Sequence, residues 1–274
     1  MVLVLTATNF MPKCPYCSYQ RCYKLRRQHA KCKRCKREWS IRNWLVPGIK
    51  ASDTEWIKVL DSFFRDFTIR AVMRETGLRQ NQVHKMLTVV RQAMLSDVPV
   101  RFQGPVEIDD AYLGPRWLNR RSWQRNTKRG RGTDQQPLLG IFDQRSGKVM
   151  AWLISKVQWS EVRPLISIQL KPNCMVYTDT YSCYHVLSRS GYGHQTVDHV
   201  HGEYARGKVT VNHVESFWGY VKRRFKVTGG LRGTRLHLYL GEWIWRYNHR
   251  QLSREAKVKR LHYLLKELKI GGRK

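Results

Sequence analysis

The sequence predicts a protein of the α/β class, with two small modules preceding the α/β domain. Three observations support this prediction. Two Cys-x-x-Cys pairs lie near the amino terminus, a helical pattern with a central glycine follows, and short apolar runs alternate with amphipathic segments from residue 104 onward. The formal net charge of +31 over 274 residues indicates a polyanionic partner, with nucleic acid as the first candidate.

Residues 1–45 are predicted to form a zinc ribbon. The two cysteine pairs, separated by 14 residues, have the spacing of a tetrahedral Zn²⁺ site with four thiolate ligands, Cys14, Cys17, Cys32 and Cys35. Such a site has no open position, so this zinc would be structural and would stabilise a module with little core. The segment between the pairs is expected to form a hairpin, and Cys22 within it is expected not to bind metal. Two disulfides or free thiols are the alternative, but zinc spacing and seven cysteines favour a reducing cytoplasm.

Residues 50–98 are predicted to be helical and to contain a helix-turn-helix. Asp53 is expected to cap the first helix, and Gly77 can adopt the left-handed conformation that the later turn requires. The first helix has one apolar face, formed by Trp56, Val59, Leu60 and Phe63. The last helix, beginning near Asn81, would present polar side chains to a DNA major groove: Gln80, Asn81, Gln82, His84 and Lys85. An ordinary helical hairpin is the alternative.

Residues 104–230 have the element order of an RNase H-like fold, which contains a mixed five-stranded sheet covered by helices. The predicted order is strand-strand-strand-helix-strand-helix-strand-helix. It follows from the segments PVEIDDAYLG, QPLLGIFDQ, KVMAWLIS, WSEVRPLISIQL, CMVYTDT, YSCYHVLSRSG and HQTVDHV, and from a helix that begins near Asn212. Residues 231–274 are expected to form a C-terminal helical extension.

Three acidic residues of this domain are the candidate active site: Asp109, Asp179 and Glu215. Asp109 lies on the first predicted strand, Asp179 ends the fourth, and Glu215 lies on the last helix, with 35 residues between the second and the third. Carboxylates that converge in this way can hold two Mg²⁺ or Mn²⁺ ions against a phosphodiester. Asp110 points to the opposite face of its strand from Asp109. The alternation of apolar and polar residues does not decide which face carries the site.

These motifs resemble bacterial insertion-sequence transposases of the DDE type, in particular the family with an N-terminal zinc ribbon and an Asn-x-x-Glu third motif. The matching segments are VEIDDAYLG, VYTDTYSCY, TVNHVESFWGYVKRRF and YLGEWIWRYNHR. The resemblance implies that Asp109, rather than Asp110, binds metal. It also implies that Lys222, seven residues after Glu215, contacts a phosphate near the scissile bond. Asn212 is either a secondary group beside Glu215 or the third ligand itself; the spacing and the carboxylate favour Glu215.

The resemblance also implies a function. Such an enzyme binds the inverted-repeat ends of a mobile element, cuts a strand, and joins the freed 3′-hydroxyl to target DNA, acting as a homo-oligomer on double-stranded DNA. A catalytically silent DNA-binding regulator and an RNase H-like nuclease or resolvase are the alternatives. We expect a bacterial cytoplasmic, nucleoid-associated protein. The chain has no run of about 18 apolar residues, so no membrane span is expected. A signal peptide is not expected either, because the apolar start MVLVLTATNF is short and lacks a basic region before it.

Residues 116–132 form a basic segment between the first two predicted strands. The segment contains seven basic residues and no acidic one. It would either clamp DNA through phosphate contacts or form a solvated loop, and the sequence favours neither.

Overall fold

The computed structural model of this protein describes most of the chain: residues 13–26, 29–40, 45–46, 48–99, 101–114, 135–198, 205–228, 231 and 233–271. The chain divides into two compact units, residues 1–56 and residues 57–274. The basic segment 116–132 lies outside the described residues. Within the described part of the chain, no helix has both the length and the apolar character needed to cross a membrane.

The first unit contains a three-stranded antiparallel sheet in the order β1-β2-β3, with strands Cys22–Leu25, His29–Cys32 and Glu38–Ser40. The hairpin predicted between the cysteine pairs is confirmed, because β1 pairs with β2. The third strand was not predicted. Among the described residues of these strands, only Ala30 and Cys32 are fully buried. The sheet therefore buries little apolar area to stabilise the module.

Helix α1 spans Asp53–Phe64, and its predicted apolar face is buried. The prediction that Asp53 caps this helix is wrong. Ser52 Oγ accepts a hydrogen bond from the Glu55 N–H at 3.2 Å, and Glu55 Oε2 accepts one from the Ser52 N–H at 2.6 Å. This reciprocal Ser-x-x-Glu arrangement satisfies two backbone donors, which a cap at Asp53 would not do.

The predicted helix-turn-helix consists of α2, Ile69–Thr76, and α3, Gln80–Ser96. Gly77 has a φ of 72° between them, in the left-handed region that favours glycine. Both helices and the turn between them contribute buried apolar side chains: Val72, Leu78, Val83 and Met86.

The sheet of the second unit has the order β6-β5-β4-β7-β8. Strand β5 is antiparallel to both β4 and β6, whereas β7 runs parallel to both β4 and β8. This order confirms the predicted RNase H-like fold. The strands are Val106–Leu113, Gln136–Asp143, Lys148–Leu153, Met175–Asp179 and Gly193–Val197.

Helices cover both faces of this sheet. One face packs with α4, Trp159–Gln169, and the other with α5, Asn212–Val227, and α6, Leu236–Asn248. The final helix α7 spans Arg254–Gly271. Strand β4 therefore contributes alternate side chains to two separate apolar cores.

The segment YSCYHVLSRSG is not the short α-helix that the sequence predicted. It forms two 3₁₀ turns, Ser182–Tyr184 and Ser188–Ser190, before Gly191 at φ 83°. Tyr184 and Leu187 are both fully buried and lie three residues apart. That spacing matches the three residues per turn of a 3₁₀ helix. A small unpredicted hairpin of β9, Ala205–Arg206, and β10, Val209–Thr210, precedes α5.

Helix α3 packs against α6 within the same compact unit as the sheet. A Cβ atom at Gly241 of α6 would lie 2.3 Å from Leu95 Cδ2, so the glycine allows the two helices to approach closely. The domain ranges expected from the sequence, 1–45, 50–98, 104–230 and 231–274, stay a prediction.

Candidate active site

The four predicted zinc ligands lie together in the first unit. Their Sγ atoms are all within 4.8 Å of one another, and the Cys14–Cys35 and Cys17–Cys32 distances are both 3.6 Å. Tetrahedral thiolates at the usual Zn–S distance would be about 3.8 Å apart, so this group fits Zn²⁺. Cys22 lies outside the group, and its thiol donates to the Tyr19 carbonyl at 3.6 Å.

Packing decides which face of β4 carries the acidic cluster. Ala111 and Leu113 lie in the core that α5 covers, whereas Val106 and Ile108 lie in the core that α4 covers. Asp109 shares its face with the first pair, because residues two apart on a strand point the same way. It therefore faces α5.

The same alternation of side chains shows which side of the sheet Asp110 and Asp179 face. Asp110 points to the α4 side, where Tyr184 donates its hydroxyl to Asp110 Oδ1 at 3.4 Å. Asp179 ends β7 on the face of Tyr177, which packs in the α5 core. The Tyr181 N–H donates to Asp179 Oδ1 at 3.1 Å. This geometry supports the choice of Asp109 over Asp110.

Helix α5 brings the remaining candidates to the same side of the sheet. Asn212, Glu215 and Lys222 are exposed on the helix, while Val214 and Trp218 are buried beneath it. The polar and apolar stripes are separate, which is consistent with 3.6 residues per helical turn.

A glycine beside Asp109 determines how closely α5 approaches the sheet. Gly140 on β5 is the register partner of Asp109. A Cβ atom at this position would lie 2.4 Å from Trp218 Cζ2, far inside van der Waals contact. The missing side chain lets the Trp218 ring lie directly on the strand.

The electrostatics of Asp109 indicate a site for cations. Burial raises the pKa of Asp109 to about 8, with further contributions from the charges of Asp110, Asp179 and Glu215, although the Asp110 N–H opposes them. Mutually repelling carboxylates of this kind are suitable oxygen ligands for Mg²⁺ or Mn²⁺. Among the described residues, only the four cysteines bring three or more ligand atoms within 4.8 Å of one another, so the acidic side chains are more widely spaced.

Sequence reasoning assigned no role to Glu107, which is fully buried on the Asp109 face of β4. Its carboxylate accepts hydrogen bonds from the backbone N–H groups of His213 and Val214, the second and third residues of α5. A charged residue within an apolar strand was the one signal that could have revealed it, since such a residue needs a buried partner.

The predicted base-contacting residues lie at the start of α3. Gln80, Asn81, His84 and Lys85 are exposed and Gln82 is partly exposed. Three arginines, Arg70, Arg74 and Arg79, line a neighbouring depression formed by α2 and the turn that follows it. The surface is therefore polar and basic, as DNA contact requires.

The strand order and the acidic cluster facing α5 define an RNase H-like enzyme of the nuclease and transposase class. Residues 101–248 match the family described as the ISXO2-like transposase domain. Because this match covers more than half of the chain, the protein belongs to that transposase family.

Two relatives agree with this family. An uncharacterized transposase-like protein of Haemophilus influenzae is 30% identical over 111 residues, which are 40% of this chain and 89% of the relative. An uncharacterized protein in transposable element ISH50 of Halobacterium salinarum is 27% identical over 220 residues, which are 76% of this chain and 74% of the relative.

Similar solved structures include two integrase catalytic cores. The core domain of BIV integrase is 14% identical with a TM-score of 0.32, and the match covers 50% of this chain and 78% of that one. The magnesium complex of the HTLV-2 core, in its dimeric form, is 12% identical with a TM-score of 0.32, covering 55% and 86%. At such scores the fold assignment rests on the strand order of the sheet itself.

Proposed function

We propose that this transposase binds the inverted-repeat ends of a mobile DNA element and catalyses metal-dependent strand cleavage and strand transfer. The observation that carries the proposal is that Asp109, Asp179 and Glu215 share the α5 side of the sheet in a chain of the transposase family. The mutual charge effect on the pKa of Asp109 supports a shared cation site.

The candidate residues of the site would perform three tasks. Asp109, Asp179 and Glu215 would hold two Mg²⁺ or Mn²⁺ ions, which supply activation of the attacking oxygen and stabilisation of the leaving oxygen. Lys222, two turns along α5 from Glu215, would contact a phosphate beside the scissile bond. Asn212 would support Glu215 from the preceding turn.

Recognition of the element ends belongs to the N-terminal modules. The start of α3 would read base edges in the major groove through Gln80, Asn81, Gln82, His84 and Lys85. The four cysteines would hold one structural Zn²⁺ and keep the basic ribbon folded for phosphate contacts. Such a protein would work in the bacterial cytoplasm, associated with the nucleoid and not with a membrane.

A strand-transfer assay with labelled end DNA tests the proposal. The wild-type protein should cut and join, whereas Asp109→Ala, Asp179→Ala and Glu215→Ala should do neither while still binding DNA, because affinity comes from the basic surface. Cutting without joining would favour a nuclease or resolvase. Binding without cutting by the wild-type protein would favour a silent regulator.

Two variants separate the candidates for the third ligand. Glu215→Gln should abolish cleavage because a neutral amide balances less of the cation charge, whereas Asn212→Ala should retain part of it. An inactive Asn212→Ala beside an active Glu215→Gln would transfer the role to Asn212.

A further inference from the structure

The fully buried Glu107 joins the strand of one candidate metal ligand to the helix of another. Its Oε2 accepts from the His213 N–H at 2.9 Å and the Val214 N–H at 3.1 Å. Its Oε1 accepts from His213 Nδ1 at 2.6 Å and from Gln144 Nε2 at 2.7 Å. These four donors therefore come from α5 or from Gln144, the residue that follows β5.

Helix α5 needs this partner. The first N–H groups of a helix have no intrahelical acceptor, and the positive end of the helix dipole favours a carboxylate there. Val211, the residue before α5, makes no side-chain cap hydrogen bond. The cap is supplied instead by Glu107, 106 residues earlier in the chain.

The contact also restrains the rotation of the first turn of α5. The His213 ring stacks on Phe142 of β5, with ring centroids 5.0 Å apart and planes inclined by 5°. Its Nδ1 meanwhile bonds to Glu107. Both the backbone and the side chain of His213 are held against the sheet, which fixes the rotation of this first turn. Because Glu215 lies two residues later on the same helix, the direction in which its side chain leaves α5 is fixed as well.

We propose that Glu107 is a positioning residue, which sets the separation and orientation of Glu215 relative to Asp109. Asp109 follows Glu107 by two residues on the same face of β4, and Glu215 follows His213 by two residues on α5. One carboxylate thus ties together the elements that carry two of the three acidic side chains. The inference rests on the proposed function of those side chains, but it concerns a contact that can be measured without any reaction.

Asp143 provides a matched control. It is also a buried carboxylate, lies on the neighbouring strand β5, and pairs in register with Val106. Its described hydrogen bonds go to the backbone and hydroxyl of Ser146 in the β5–β6 turn. Replacing Asp143 therefore removes a buried acid from the same sheet and leaves the α5 contact in place.

The first experiment measures amide hydrogen exchange along α5 in the full-length wild-type protein and in Glu107→Ala, Glu107→Gln and Asp143→Ala. Exchange of the first α5 turn should accelerate at least tenfold in Glu107→Ala and remain unchanged in Asp143→Ala. Glu107→Gln should fall between the wild type and Glu107→Ala, because its amide oxygen can still accept from the two backbone N–H groups. Unchanged exchange in a folded Glu107→Ala, or equal acceleration in Asp143→Ala, would overturn the proposal.

The second experiment measures cleavage of end DNA at saturating DNA over a range of Mn²⁺ concentrations. Glu107→Ala should cut about 100-fold more slowly, the loss expected from displacing a reacting group by about 1 Å. It should also need more Mn²⁺ for half-maximal rate while binding DNA normally. Glu107→Gln should recover much of the rate. A Glu107→Ala protein with wild-type rate and Mn²⁺ requirement would contradict a positioning role.

The two experiments distinguish the failure of this inference from the failure of the proposed function. If the wild-type protein cuts no DNA, the proposed function is wrong, and the exchange of the first α5 turn still decides whether Glu107 holds the helix. If the wild type cuts and Asp109→Ala does not, the function stands, and the Glu107 variants alone decide the positioning role.

Discussion

At the residue scale, strand β4 places three neighbouring carboxylates in three different environments. Glu107 is buried and hydrogen-bonded to the start of α5, Asp109 faces the acidic cluster, and Asp110 points to the hydroxyl of Tyr184 on the opposite side. Their chemical types are nearly identical, so their roles follow from the side of the sheet and the partners available there.

The pKa of Asp109 leads to a prediction about stability. It is raised from 3.8 to about 8 in the folded protein, so the folded state binds this proton more tightly than the unfolded chain. The associated stability is present in full below about pH 4 and is lost as pH rises through about 8. In buffer without added Mg²⁺ or Mn²⁺, the wild type should lose thermal stability relative to Asp109→Asn between pH 5 and pH 9.

Melting temperatures of the two proteins over this pH range test the prediction. Zinc is retained by leaving out chelators. Adding Mn²⁺ at pH 8 should raise the melting temperature of the wild type more than that of Asp109→Asn, because the cation binds the ionised carboxylate of the folded state. Parallel melting curves across the whole range would show that Asp109 does not titrate as described.

At the element scale, the contact between α5 and the sheet depends on a position without a side chain. Gly140→Ala would place a Cβ atom 2.4 Å from the Trp218 ring, so α5 must shift away from β4 and carry Glu215 with it. We expect a loss of about 1–3 kcal/mol of stability, as for other overpacked cores, together with reduced DNA cleavage. Denaturant unfolding and the cleavage assay measure both effects.

Gly219→Ala on α5 itself is the control for Gly140→Ala. The added Cβ would lie 3.4 Å from the end of the flexible Arg223 side chain, and alanine within a helix is favoured by about 0.5–1 kcal/mol over glycine. This variant should be at least as stable as the wild type and should cut DNA normally. If the two variants lost the same amount of cleavage activity, the loss could not be attributed to the contact between Gly140 and Trp218.

The zinc ribbon is the second element with a direct test. Elemental analysis should find one zinc per chain, and Cys14→Ser or Cys32→Ser should lose it and bind end DNA less specifically, since the small module depends on its metal for folding. Cys22→Ser should retain the zinc, because its thiol lies outside the group of four. Wild-type protein purified without chelator and found free of zinc would refute the site.

At the scale of the whole molecule, a buried acid connects the helix-turn-helix to α5. Glu242 of α6 accepts from Arg91 of α3 at 2.7 Å and from Arg246 at 2.8 Å, and it lies 3.9 Å from Arg224 of α5. Arg224 also binds both carboxylate oxygens of Asp66, which precedes α2. Four segments, namely the residues before α2 and the helices α3, α5 and α6, therefore share one charge network.

Glu242→Gln should destabilise the protein by about 3–5 kcal/mol, because it removes the counter-charge of the largely buried Arg91 and leaves Arg246 and Arg224 with Asp66 alone. Asp61→Asn is the control, since Asp61 makes partly exposed pairs with Arg65 and Arg254. Such pairs contribute at most about 1 kcal/mol. Urea unfolding measures both variants, and a loss from Glu242→Gln no larger than that from Asp61→Asn would show that the network contributes little.

The assembly on DNA provides the last prediction. One chain carries one acidic cluster, whereas a mobile element has two ends to be joined together, so we expect a two-fold symmetric dimer or larger assembly on end DNA. The free protein, at net charge +31, should associate less because like charges repel. Light scattering with and without end DNA measures this, and raised salt should weaken the complex steeply. Concerted joining of two ends by a single bound chain would contradict it.

The sequence by itself determined the order of the five strands in the large sheet, the four-cysteine group, and the alignment of Asn212, Glu215 and Lys222 on one stripe of α5. These features depend on local spacing: two residues per strand repeat, 3.6 per helical turn, and two residues between paired cysteines. Even so, the 3₁₀ turns after β7 and the cap at Ser52 differed from the prediction, because they depend on burial and on competing local hydrogen bonds.

Only the tertiary structure decided which face of β4 meets α5, and hence that Asp109 and not Asp110 joins the acidic cluster. It also revealed the Glu107 cap, the contact between Gly140 and Trp218, and the packing of α3 on α6. Each of these is a contact between residues far apart in the chain; Glu107 and His213 are separated by 106 positions. Strand alternation defines two faces but does not say which helix covers which one, since that choice is made when the elements pack around their apolar cores.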